Sequence, residues 1–271
     1  MRPSKIARHA LLILAVLATL APVGFMALTS LKTKEDYRLD RVGLPSNPTL
    51  DNVSTVLSDP NLSTWIANSI VITLGAVVLS MVAGVLAAYP IARSSGWWPR
   101  SLLPGIVLLL AIPPVVLIVP LFIMMVNLEL LNSRVGVIIT YAGLLTPLAT
   151  YLMVGFIRGI PAELDEAAAI DGAGRGRVLM QVILPVMRPA LVTLAVVAAV
   201  YVWNEFLIAL LFLQTQESQT LVVGIASLRG RFDINEPLLM AWSLIASLPV
   251  ILVFIFGQRY FARGLVAGAF K

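Results

Sequence analysis

Six apolar runs, each long enough to cross a bilayer as a helix of roughly 20 residues, set the outline of this chain. They fall at about 10–31, 66–92, 102–126, 135–157, 189–213 and 237–258. With 59% hydrophobic residues, 12% charged residues and a mean hydropathy of +0.94, the chain is far more apolar than a soluble domain. Residues 1–271 therefore read as one all-α integral membrane domain of six transmembrane helices. Arg2, Lys5 and Arg8 precede the first run as they would in a signal peptide. That run is longer than a signal core of roughly 7–15 residues, so the reading is a retained first helix.

Composition removes several chemistries. The chain has no cysteine and a single histidine, His9 in the basic amino-terminal tail, so disulfides, thiolate sites, a thiol nucleophile and histidine triads cannot be built. The formal charge of +5 is scattered between apolar spans instead of being gathered on a soluble face, which argues against nucleic acid. No Gly-x-x-x-x-Gly-Lys-Ser/Thr occurs, so the chain has no phosphate cradle of its own. A membrane enzyme would need a polar catalytic cluster at membrane depth, and Glu205 is the only acid inside a predicted span.

Six spans place both termini on one side. The amino tail, the 93–101 loop, the 158–188 segment and the carboxyl tail hold twelve Lys and Arg, and the opposite loops hold seven against nine acids. The positive-inside bias therefore places both termini and 158–188 in the cytoplasm. Pro104, Pro113, Pro114 and Pro120 in the third span predict a broken or kinked helix packed inside the bundle. The long outer loops are 32–65, extended with short helical pieces, and 214–236. Trp65, Trp97, Trp98 and Trp242 lie near span ends and read as interfacial anchors.

The 158–188 segment is a polar stretch between two long apolar spans. Pro161 followed by Glu163, Asp165 and Glu166 suits a helix amino terminus, where acids complement the dipole. Gly172 suits the left-handed residue that closes such a helix. Ala167, Ala168 and Ala169 leave a slim surface able to enter a groove. Val178, Leu179, Val182 and Ile183 predict a second short helix, stopped by Pro185 before the fifth span. Glu163 and Asp165 read as capping acids.

Glu166-Ala167-Ala168, three residues, Gly172, nine residues, then Val182-x-Leu184-Pro185 resembles the EAA loop of permease subunits in binding-protein-dependent ABC importers. Thr29-Ser30-Leu31-Lys32, Asn68-Ser69-Ile70, Ala88-Tyr89-Pro90-Ile91-Ala92-Arg93, Trp203-Asn204-Glu205-Phe206, Gln258-Arg259-Tyr260-Phe261 and Gly264-Leu265-x-x-Gly268-Ala269 are similar to the sugar-importer, maltose-type branch. The resemblance implies the type I importer permease fold in a bacterial or archaeal cytoplasmic membrane. It implies a second homologous permease, an ATPase subunit dimer carrying ATP and Mg, an extracytoplasmic sugar-binding protein and a sugar substrate, with no cofactor on this chain. Glu166, Ala167, Ala168, Gly172, Leu184 and Pro185 would then couple to the ATPase, with Glu166 meeting a basic residue there. A permease for a non-sugar solute is the alternative.

Two further sets are candidates. Tyr201, Asn204, Glu205 and Ile208 fall at helical spacing, which predicts one inward stripe of the fifth helix along the sugar path or a subunit interface. Gln216, Glu217, Ser218 and Gln219 lie in a run too polar for the bilayer, and the resemblance implies that part of this loop reaches the binding protein.

Overall fold

The structure, a computed structural model, describes residues 5–228 and 235–269, with the backbone alone for residues 5, 6, 100 and 256–269. The carboxyl-terminal pattern from Gln258 to Ala269 thus lies outside the described side chains, and Arg229 and Arg231 lie outside the described residues.

All the regular structure among the described residues is helical. In chain order it comprises α1 (Lys5–Ser30), α2 (Lys34–Leu39), α3 (Asp51–Leu57), α4 (Leu62–Arg93), α5 (Trp97–Leu110), a 3₁₀ turn (Pro114–Leu117), α6 (Ile118–Asn127) and α7 (Arg134–Arg158). There follow α8 (Glu163–Ile170), α9 (Arg175–Val178), a π turn (Leu179–Ile183), α10 (Leu184–Val186), α11 (Arg188–Asn204), α12 (Leu207–Phe212), α13 (Leu221–Ser227) and α14 (Glu236–Ala269). Among the described residues five helical stretches are long and apolar enough to cross a membrane: Ala7–Ser30, Leu62–Arg93, Arg134–Arg158, Arg175–Asn204 and Glu236–Ile255. Trp97–Leu110 and Pro114–Asn127, bent by 87° at the break between them, make a sixth when the pair is counted as one span.

The chain divides into two compact units. One holds Met1–Thr64 with Leu221–Pro249, the other Trp65–Thr220 with Val250–Lys271. In the first unit, Asn52 Nδ2 donates to the carbonyls of Ser30 and Lys32 at 2.9 and 2.8 Å, and buried Lys32 donates to the carbonyl of Asp40 at 2.7 Å. These bonds satisfy carbonyls freed where α1 ends, as helix termini require. The segment after α1, which carries the short helices α2 and α3, is thereby tied back to the end of α1.

The second unit is built on close contact between α4 and α7. A Cβ placed on Gly84 would lie 2.7 Å from Ala149 Cβ and 3.1 Å from the Thr150 amide, so only glycine lets the backbones approach this far. Near one end of these helices Ala88, Met153, Ile157, Val178, Leu179 and Ile183 form a continuous buried core, which seats the 163–185 segment against α4 and α7.

Four expectations are corrected. The third span is broken at its prolines, because α5 stops at Leu110 and Pro114 opens the 3₁₀ turn, yet most of α5 and α6 is exposed and not packed inside this chain's bundle. Pro185 does not stop a helix. A π turn places the Leu184 N–H on the Leu179 carbonyl, the extra residue that lets a helix absorb a proline, and the helical stretch runs on from Arg175 to Asn204. The fifth span breaks instead at Glu205, which has an extended ψ of 126°. Finally, Trp65 and Trp242 are 0% and 2% exposed, so they are packed interior residues; Trp97 is 80% exposed, as an interfacial anchor should be.

The Gly84 contact yields a test. Gly84→Ala overpacks the α4–α7 crossing and is expected to destabilise the protein by about 1–3 kcal/mol, read as a lower melting temperature in detergent. Ala149→Gly removes the nearest clashing atom and should recover part of that loss in the double variant. Equal melting temperatures for Gly84→Ala and wild type would show that the helices do not meet here.

Candidate functional site: the 163–185 segment, a broken span and the 214–220 loop

Three clusters of the second unit carry the candidate residues. In the 163–185 segment, α8 holds Glu163, Asp165 and Glu166 in its first turn. Glu163 and Glu166 are exposed. Asp165 is not a simple cap. Its carboxylate accepts the Tyr89 hydroxyl at 2.8 Å and pairs with the Arg93 guanidinium at 2.8 Å, while Arg93 also donates to the Ile160 carbonyl at 3.1 Å. The end of α4 therefore grips the segment on both sides of Pro161. Gly172 has φ +79°, the left-handed closing residue expected, and its N–H donates to the Ala169 carbonyl at 3.0 Å. Ala167 is exposed, Ala168 half-buried and Ile170 87% exposed, so α8 offers a slim apolar face beside Glu166. Leu184 and Pro185 are half-buried at the start of the following helix.

The second cluster is the break in the fifth span. The Glu205 carboxylate accepts the N–H groups of Leu207, Ile208 and Ala209 at 3.0, 3.1 and 3.3 Å and the hydroxyl of Tyr141. These amides are the unpaired donors of the α12 amino terminus, where a negative charge is favoured by the helix dipole. The four residues expected on one stripe are consequently not on one helix face. Tyr201 and Asn204 are exposed on α11, Ile208 is buried on α12, and Glu205 bridges the two.

The 214–220 loop is tied down by three side chains. Trp65 Nε1 donates to the Gln216 carbonyl at 2.8 Å, and Asn68 Nδ2 donates to the carbonyls of Glu217 and Gln219, both at 2.8 Å. Asn132, itself at φ 57° between α6 and α7, accepts the Gln214 and Thr215 amides at 2.6 and 3.1 Å. Gln216 and Glu217 stay exposed, but Ser218 and Gln219 are buried, which corrects their reading as surface contacts.

Residues 80–266 match the family model described as the binding-protein-dependent transport system inner membrane component. The chain belongs to this family. It is 34% identical over 251 residues to the melibiose/raffinose/stachyose import permease protein MelC of Bacillus subtilis, covering 92% of this chain and 91% of that one. It is 35% identical over 253 residues to the sulfoquinovosyl glycerol transport system permease protein SmoH of Agrobacterium fabrum, covering 93% and 89%. Its fold is similar to a chain of a bacterial ABC transporter involved in the import of the acidic polysaccharide alginate, with TM-score 0.83, 26% identity and coverage of 94% and 95%. The chain is thus a transport-system membrane subunit and not an enzyme, and the matched residues contain the whole 163–185 segment and the Glu205 break.

Asp165, Tyr89, Tyr141, Asn132 and Trp65 are the site residues that pattern reading missed. Tyr89 and Arg93 sit four apart on one helix face, a spacing that could have marked them as a paired grip; nothing local marks Tyr141 as the partner of Glu205.

The break predicts a graded response. Glu205→Leu leaves three amides without an acceptor, at a cost on the order of 1–3 kcal/mol each, and should sharply reduce both thermal stability and uptake. Glu205→Gln keeps one acceptor oxygen and should be milder, and Tyr141→Phe milder still. Unchanged uptake and melting temperature in Glu205→Leu would show that α12 does not depend on this cap.

Proposed function

We propose that this chain is the permease subunit of an ATP-driven, binding-protein-dependent sugar importer, acting as one transmembrane domain that supplies half of the translocation path. The observation that carries the reading is the 163–185 segment: a short helix with exposed Glu166, Ala167 and Ile170, closed by a left-handed Gly172 and seated on the bundle core. A chain with no phosphate-binding motif must receive its drive from another subunit. Glu166 would meet a basic residue of an ATPase subunit, with Ala167, Ala168 and the bend at Gly172 fitting its cleft and Leu184 and Pro185 carrying the displacement into the fifth span. ATP and Mg would be held by that ATPase, with no cofactor on this chain.

The other partners follow from the same architecture. A second, homologous permease would complete the path against the exposed end of α11, where Tyr201 and Asn204 stand, and Glu205 would hold the break beside it. An extracytoplasmic binding protein would dock on the outer loop through Gln216 and Glu217. Sugar as the solute class is supported by the relatives, whose names record import of melibiose, raffinose and stachyose and transport of sulfoquinovosyl glycerol. Orientation is supported by the Lys and Arg distribution, which puts both termini and the 163–185 segment in the cytoplasm of a multi-pass inner-membrane protein.

Two experiments test this reading. The chain has no native cysteine, so single cysteines at Ser95 and Ala173 should be shielded from an impermeant external thiol reagent while one at exposed Gln216 labels; external labelling at Ala173 would invert the topology. Glu166→Ala should weaken ATPase association by about 1.5–3 kcal/mol if the charge-assisted contact is partly desolvated, and Gly172→Pro cannot adopt φ +79°. Both variants should insert normally and lose ATP-driven uptake, and wild-type uptake in both would discard the coupling role.

A further inference from the structure

We infer that α4 is the element that connects the outer loop to the coupling segment, and that Asp165 is the positioning residue that locks Glu166 and Gly172 to it. This rests on the permease reading above and names residues of the same site. Trp65 and Asn68 at one end of α4 are both 0% exposed and hold three backbone carbonyls of 216–219. Tyr89 and Arg93 at the other end hold Asp165 and the Ile160 carbonyl. At 1.5 Å per residue the two sets of ties stand about 32–42 Å apart along one helix, enough to cross the roughly 30 Å hydrocarbon core of a bilayer.

The inner tie does more than hold the segment down. Apolar packing through Val178, Leu179 and Ile183 already seats the part after Gly172, while of α8 itself Ala168 is the one described side chain packed against that core. The Asp165 cluster is directional: one guanidinium grips the residue before Pro161 and the first turn of α8 after it, and a phenol fixes the same carboxylate. Successive residues of a helix are turned by about 100°, so fixing Asp165 against α4 turns Glu166 out toward solvent. The carboxylates are thereby divided, with Asp165 facing the bundle at 19% exposure beside Arg93 at 17% and Glu166 exposed. A displacement of α8 by the ATPase is then carried by α4, and a displacement of the outer loop reaches α8 by the same helix.

The test uses the full complex of two permeases, ATPase subunits and binding protein in proteoliposomes, with sugar uptake and ATP hydrolysis measured together. Asp165→Asn and Arg93→Gln should each lower sugar moved per ATP about ten-fold, the size of one lost charge-assisted contact, while hydrolysis stays within about two-fold of wild type. Because the two residues share one ion pair, the double variant should lose less than the product of the two single losses. Asp165→Glu, which keeps the charge, should recover most of the ratio. Spin labels at Ser95 and Glu163 should give one narrow distance in every nucleotide state, broadened in Asp165→Asn. A normal ratio in both single variants overturns the inference, as does a lowered ratio with an unbroadened distance. Loss of the ATPase from Asp165→Asn during purification also overturns it, by making Asp165 a docking contact. A wild-type complex that hydrolyses ATP without moving sugar would instead sink the permease reading itself.

Discussion

Everything in this structure depends on the requirement that a backbone amide or carbonyl at membrane depth must find a partner within the protein. Continuous helices meet it without help. Where a helix is interrupted, the interruption carries its own acceptor or its own change of register: Glu205 supplies four acceptor contacts to α12 and Tyr141, and the π turn before Pro185 moves the Leu184 amide to Leu179. The third span obeys the same rule by confining its break to residues 111–113, with prolines at 113 and 114 that bring no amide needing a partner.

The polar side chains that remain are used as ties. Outside the break at Glu205, the described side-chain bonds of the second unit that join distant parts of the chain lie mostly at the two ends of α4 and on Asn132, while Ser80, Thr146, Thr150 and Thr193 bond back to carbonyls of their own helices. Between those ends α4 meets α7 through Gly84, a contact without polar atoms on either side chain. Shape therefore fixes the middle of the helix and hydrogen bonds fix its ends, which makes α4 a stiff member with a defined rotation, while the 214–220 loop is held largely through its backbone and leaves the Gln216 and Glu217 side chains exposed.

Features set by local chemistry were legible in the sequence: the apolar runs, the break at clustered prolines, the left-handed Gly172 and the spacing of the 163–185 motif. What escaped depended on residues far apart. Asn204-Glu205-Phe206 contains no proline or glycine, and Tyr201, Asn204, Glu205 and Ile208 match a helical face, so the break is visible only once Tyr141, 64 residues away, is brought beside the carboxylate. Asp165 reads as a capping acid for the same reason, since its partners lie 76 and 72 positions earlier. Trp65 and Trp242 sit near span ends, where an anchor and a core residue share one sequence signature; burial alone separates them.

The exposed surfaces of the fifth span carry the last step. Asn204 donates one of its two amide N–H groups to the Val200 carbonyl at 2.8 Å, which leaves the second N–H and the carboxamide oxygen on a residue that is exposed, as Tyr201 is. Such groups facing hydrocarbon would be unpaired at a cost of several kcal/mol, so this end of α11 must meet water or protein. A subunit that formed a complete channel would bury that face itself. One that contributes half of a path would leave it open for a homologous partner, and the Glu205 break follows directly after that exposed end of α11.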